Sequence, residues 1–129
     1  MTPKRAFISF DFDNDANLRD LLVGQARNSD SPFEIRDYSI KEPLSGDWKN
    51  KVRRRMANID VVIVICGTST HNAIGVSDEL AIARDAGKPY FLLNGRKDRN
   101  CTRPKSALST DKVYNWTWDN LKNLIQGAR

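Results

Sequence analysis

The stretch from Asn58 to Phe91, NIDVVIVICGTSTHNAIGVSDELAIARDAGKPYF, decides the fold. Val61 to Ile65 form an uninterrupted β-branched apolar run between Asp60 and Gly67, the pattern of a strand buried on both faces of a parallel sheet. A small, polar loop from Cys66 to Gly75 follows, and then Val76, Leu80, Ala83 and Gly87 recur at helical spacing. Gly87-Lys88-Pro89 stops that helix and Tyr90 to Leu93 begins a new strand, which completes a βαβ unit. Glu79 is expected in the first turn of the helix, just beyond the carboxyl end of the central strand. Open α/β sheets bind their ligands there, so Glu79 is the leading catalytic candidate.

Upstream, Arg5 to Phe10 reads as an internal first strand with an acidic exit, Asp11-Phe12-Asp13-Asn14-Asp15. Asn14 or Asp13 is expected to cap the next helix, whose apolar stripe is Leu18, Leu21, Leu22 and Ala26, and Asn28 to Pro32 ends it. A short strand, Phe33 to Arg36, leads through Tyr38, Ser39 and Ile40 to a Pro-Leu-Ser-Gly-Asp turn at 43–47. Trp48, Val52, Met56 and Ile59 then mark a second helix, with Lys49, Lys51, Arg53, Arg54 and Arg55 on its exposed face. Downstream, Asn94 to Ser109 is basic and irregular around Pro104, with room for a short helical turn. Lys112 to Tyr114 reads as a last strand, and Thr117 caps a terminal helix that turns Trp118, Leu121, Leu124 and Ile125 inward.

Five strands alternating with helices predict an α/β, flavodoxin-like three-layer sandwich with a five-stranded parallel sheet of order 2-1-3-4-5, formed as a single domain over residues 1–129. The switch point of that order lies between the first and third strands. Asp11 to Asp15 and Cys66 to Glu79, distant in sequence, are therefore expected to line one crevice.

The chain has 129 residues and a net charge of +5, which favours anionic partners without separating nucleotides from nucleic acids or acidic protein faces. Cys66 and Cys101 form no CxxC and no disulfide-like spacing, which suits a reducing compartment. No apolar run approaches the roughly 20 residues of a membrane span, and no signal peptide precedes the first strand. A cytoplasmic protein with neither membrane nor nucleic-acid partners is the expectation, since the basic residues are not interleaved with stacking aromatics. No Walker A or GxGxxG pattern occurs. The acidic first exit looks like that of a response-regulator receiver, but Cys66-Gly67 and Asn115-Trp116 stand where a receiver needs its phosphate-accepting aspartate and its lysine. No metal site or bound cofactor is expected.

The segments KRAFISF (4–10) with Asp15, VVIVICGTST (61–70) and GVSDELAIARDAGKPYF (75–91) resemble bacterial TIR and TIR-like domains, particularly the stand-alone type of Thoeris antiphage systems. Glu79, preceded by Val76 and followed by Leu80, matches the position of that family's catalytic glutamate. Gly75 departs from the pattern, because relatives often carry tryptophan there. The resemblance implies cleavage of the nicotinamide–ribose bond of NAD, with NAD as substrate rather than cofactor, and a product that is hydrolysed, cyclised or base-exchanged. A (cyclic) ADP-ribose-type signal read by a separate effector protein is the implied role. Self-association through TIR–TIR contacts is also implied; the basic residues from Lys49 to Arg55 read first as a solvated helix face, with contact to the Asp11 to Asp15 loop of another copy, or phosphate binding, as the lesser alternative.

Ser9, Phe10, Asp11, Thr68, His71 and Ser77 are the candidates for substrate contact. The residues themselves leave two readings of Glu79 open, a carboxylate facing a growing positive charge or an acid that merely suits the positive end of a helix. Asp13 and Asp15 read as a capping cluster, and Trp48, Trp116 and Trp118 as core. The rival functions are a non-catalytic TIR-like adaptor and a nucleoside deoxyribosyltransferase-like enzyme.

Overall fold

A computed structural model describes residues 3–39 and 47–127. Its strands are β1 (Lys4–Ser9), β2 (Phe33–Tyr38), β3 (Val61–Cys66), β4 (Tyr90–Asn94) and β5 (Val113–Asn115), and its helices are α1 (Phe12–Ala26), α2 (Trp48–Met56), α3 (Ile74–Asp85) and α4 (Trp118–Ile125). The five strands make one parallel sheet in the order β2-β1-β3-β4-β5, the flavodoxin-like order read from the sequence. The turn at 43–47 lies outside the described residues, apart from Asp47, which precedes α2.

All six residues of β3 are buried, because the strand is covered on both faces. Its alternation divides the core. Val61, Ile63 and Ile65 pack with Leu18 and Leu22 of α1 and with Leu121, Leu124 and Ile125 of α4. Val62, Val64 and Cys66 pack with Val52 and Met56 of α2 and with Val76, Leu80 and Ala83 of α3. The register Ala6↔Val61 and Ile8↔Ile63 brings the carboxyl ends of β1 and β3 side by side. At the opposite end, Arg5 donates from its backbone N (2.8 Å) and from Nε (3.0 Å) to Asp60 Oδ2, and those bonds hold the Asp60 carboxyl down at about 2.

Several local expectations are corrected. Strand β1 stops at Ser9, and α1 starts at Phe12 with Asp11 as its cap, accepting from Asp13 N (3.2 Å), so neither Asp13 nor Asn14 caps it. Leu21 is 60% exposed. The buried arc of α1 runs through Leu18 and Leu22 towards Ala26 and Val23, and at 3.6 residues per turn Leu21 falls on the far flank of that arc. Strand β2 extends two residues beyond Arg36 to Tyr38. Ile59 is buried but follows the end of α2. The last strand is displaced by one residue to Val113–Asn115, and residues 95–112 carry turns without a helix. Gly87 adopts φ 69°, the left-handed conformation that lets it end α3.

The basic face of α2 is smaller than expected. Arg55 turns inward, donating to both carboxylate oxygens of Asp37 and to Tyr38 O (2.6 Å). In the acidic exit of β1, Asp11 and Asp15 are likewise buried, whereas Phe12, Asp13 and Asn14 are exposed. No helix among the described residues is long and apolar enough to cross a membrane.

Candidate functional site

Ser9 ends β1 facing away from the α1 layer, wholly buried, and its hydroxyl donates to Glu79 Oε1 (2.7 Å). Ser39 follows β2. Its backbone N continues the ladder by donating to Ile8 O (2.9 Å), while its hydroxyl accepts from Phe10 N (3.1 Å) and donates to the same Glu79 Oε1 (2.5 Å). Two chain exits, adjacent because of the 2-1-3 order, thus deliver two hydroxyls to one carboxylate oxygen.

Glu79 is the sixth residue of α3, in its second turn, and no acidic residue occupies the first turn. The attraction of a helix N-terminus for negative charge fades within that first turn, so the purely helical reading of Glu79 loses its physical basis. The side chain is 2% exposed. Burial pushes its carboxyl up to about 7, opposed by the Ser39 and Ser9 hydroxyls and by the positive charge of Arg55, and assisted by Asp37. Near neutral pH, Glu79 is therefore poised between acid and carboxylate.

It sits at the wall of a cleft of about 330 Å³ whose other walls include Phe10, Asp11, Ser39, Trp48 and Ile74. Both distant segments, the β1 exit and the loop after β3, line this crevice as the topology required. Phe10 stacks on Phe12 with ring centroids 5.9 Å apart, and the Arg19 guanidinium lies over the Phe10 ring at 5.5 Å and the Tyr38 ring at 4.9 Å. On the opposite element, a Cβ added to Gly75 would lie 3.9 Å from the Trp48 indole. The absent side chain at 75 thus leaves room for an aromatic that arrives from α2 instead.

Of the residues named for substrate contact, Ser9, Phe10 and Asp11 gather around Glu79 and the cleft. Thr68 lines a separate cavity with Asn14, Asp15 and Arg96. His71 is turned to Thr102, its Nδ1 lying 2.8 Å from Thr102 Oγ1, and Ser77 Oγ accepts from Ser106 N (3.0 Å), so neither side chain joins the cleft. Ser39 and Trp48 are the site residues that pattern reading missed. The strand order itself carried the signal for Ser39, since the residue leaving β2 must neighbour the β1 exit. Trp48 lies at core spacing and is both core and cleft wall.

Asp15, 1% exposed, is another buried acid, on the far side of the β1 exit. Its Oδ1 accepts from Arg96 Nη2 (3.0 Å), and its buried Oδ2 has no hydrogen-bond partner among the described residues. Burial raises its pKa against the opposing pull of Arg96. A Cβ at Gly67 would come within 2.2 Å of Oδ2, so glycine is required there for the carboxylate to fit. Among the described residues, no group of three or more His, Cys, Asp or Glu side chains is placed to hold a metal ion.

A family model described as the Thoeris protein ThsB, TIR-like domain, matches residues 7–100, which include every residue of the cleft named above. No curated protein sequence matches the chain.

Proposed function

The chain belongs to the family of Thoeris ThsB TIR-like domains, and from that premise we propose that it consumes NAD by breaking the bond between nicotinamide and ribose, making a nucleotide signal for a separate effector in antiphage defence. The observation that carries the proposal is a buried carboxylate at a cleft of about 330 Å³, held by two neutral hydroxyls at one oxygen.

In NAD the scissile nitrogen belongs to a pyridinium cation. The bond's electron pair returns to that nitrogen, nicotinamide leaves neutral without a general acid, and positive charge develops at the ribose carbon. A carboxylate facing that carbon stabilises the transition state more than the ground state, by an amount comparable to the ~3–4 kcal/mol of a single oxyanion-hole donor. Donation from Ser9 and Ser39 to Oε1 fixes the side chain and directs Oε2 to meet the ribose. The aromatic rings of Phe10, Phe12 and Trp48 suit a flat nicotinamide, and stacking of this kind tolerates a neutral leaving group. Water then attacks the ribose carbon and loses a proton, or a nitrogen of the same molecule attacks and closes a ring.

Incubating the purified protein with NAD over a range of protein concentrations, with chromatography of the products, tests the reading. Release of nicotinamide by the native chain and none by Glu79→Gln is the expected result. A native chain that releases none at any concentration would sink the proposal and leave the adaptor role standing.

A further inference from the structure

We propose that Ser39 is a positioning residue for Glu79: bridging the Phe10 amide and Glu79 Oε1, it couples the wall of the cleft to the direction and ionisation of the carboxylate. This rests on Glu79 being the reacting group. Ser39 touches no reacting atom in this scheme and acts through its two neighbours.

The hydroxyl of Ser39 is used twice. It accepts from Phe10 N at 3.1 Å and, with its proton thereby directed, donates to Glu79 Oε1 at 2.5 Å. Ser9 adds a second donor to the same oxygen at 2.7 Å. A carboxylic acid whose Oε1 receives two bonds carries its own proton on Oε2, so protonation removes the negative charge at the oxygen that would face the substrate. The two serines differ in one respect. Ser9 serves Glu79 alone, whereas Ser39 also holds the buried backbone from which Phe10 enters the cleft.

Among the described residues, charged groups from four elements surround this unit. Arg55 of α2 favours the carboxylate, and Asp37 of β2 disfavours it while being paired with Arg55. Asp11 and Asp13, at the start of α1, line the same cleft. On α3 itself, Asp78 precedes Glu79 and faces Lys49 of α2 at 4.0 Å. None of these groups donates to Oε1, so the two hydroxyls are the local control on its charge.

The test uses the full chain. The sequence contains three glutamates, Glu34, Glu42 and Glu79, so carboxyl-carbon NMR of glutamate-labelled protein follows the Glu79 titration directly, with Glu79→Gln assigning its signal. Hydrogen bonds to charged groups are strong enough that losing one moves a titration by about one unit, tenfold in the ionisation constant. Ser39→Ala is expected to raise the Glu79 midpoint by about that amount and to shift the rising limb of kcat/KM for nicotinamide release equally. It is also expected to raise KM, because Phe10 loses its anchor. Ser9→Ala should raise the midpoint without the KM effect, and Ser39→Thr should restore the native midpoint. If Ser39→Ala does not fold, Ser39→Cys, a weaker donor of similar size, is expected to show a smaller shift in the same direction. An unmoved midpoint in folded Ser39→Ala or Ser39→Cys would overturn the proposal. A shifted midpoint in a protein that releases no nicotinamide would uphold the coupling and overturn the enzymatic reading instead.

Discussion

Two carboxylates are buried on either side of the β1 exit, and they are buried for opposite ends. Glu79 is held by the hydroxyls of Ser9 and Ser39 and opens on a cleft, while Asp15 is paired with the Arg96 guanidinium and pressed against Gly67. In both, burial raises the pKa. A guanidinium cancels the charge that it stabilises, whereas two hydroxyls orient a charge and leave it available to a cationic partner. Depth of burial is common to both acids; the chemistry of their donors is what differs.

The harshest way to break the comparison is to bury an acid with no donors at all. Ile63 is 0% exposed at the centre of β3, and Ile63→Asp is expected to cost several kcal/mol against a typical total of ~5–15, enough to unfold the chain. A soluble variant with a cooperative melt near the native temperature would contradict the packing described for β3.

Next in size is Glu79→Gln, which keeps the shape and the two serine bonds but removes the charge. Nicotinamide release should fall at least ~10³-fold, as for loss of a principal electrostatic stabiliser. Its effect on stability has the other sign. An acid whose folded pKa is raised, here to about 7 from an ordinary 4.5, favours folding most below the unfolded value, and that contribution is lost as pH rises through the folded one. Native stability should thus decline between about pH 4.5 and 7, on the order of 3 kcal/mol by linkage. Denaturant melts at pH 8 are expected to show Glu79→Gln more stable than the native chain, with the difference vanishing near pH 4; equal stability at both pH values would refute the burial account. Nicotinamide release by the native chain is expected to run the opposite way, rising with pH through about 7 as the carboxylate forms.

Arg96→Ala tests the structural acid. Removing one member of a buried pair costs about 3 kcal/mol when the other stays charged. Because the Asp15 pKa is already raised, protonation relieves part of that cost at low pH, and the loss in melting temperature should be greater at pH 8 than at pH 5. A smaller effect is expected from Gly67→Ala, whose new methyl must displace the Asp15 carboxylate at about 1–3 kcal/mol, with nicotinamide release by the folded fraction retained. Loss of that release in a fully folded Gly67→Ala would show that the two acids are not independent.

The parts of the molecule that were legible from the sequence carry their signal in residue type and spacing: the β3 run reads as burial on both faces, the stripe of α3 as burial on one, and Gly87 as a left-handed stop, and with them come the strand order and the meeting of the β1 and β3 exits. What was not legible depends on side-chain direction at chain ends. Asp11 takes the cap where β1 stops at Ser9, and Ser9 faces Glu79 from the same side of the sheet as Phe7. Thr68, His71 and Ser77 lie in the expected segments, yet Arg96, Thr102 and Ser106 border or bind them from the irregular region after β4, which has no periodicity to read. Arg55 looked solvated among four basic neighbours, whereas Asp37 and the Tyr38 carbonyl turn it inward.

The Trp48 indole standing over Gly75 also gives the cleft an optical reporter. Trp116 and Trp118 pack against the α1 and α4 layer, on the other side of the sheet, so their emission is insulated from events in the cleft. Trp48 alone among the three tryptophans borders the cleft. An electron-poor ring such as a pyridinium, entering beside it, accepts an electron from the excited indole and darkens one emitter of three, while the other two remain as an internal reference.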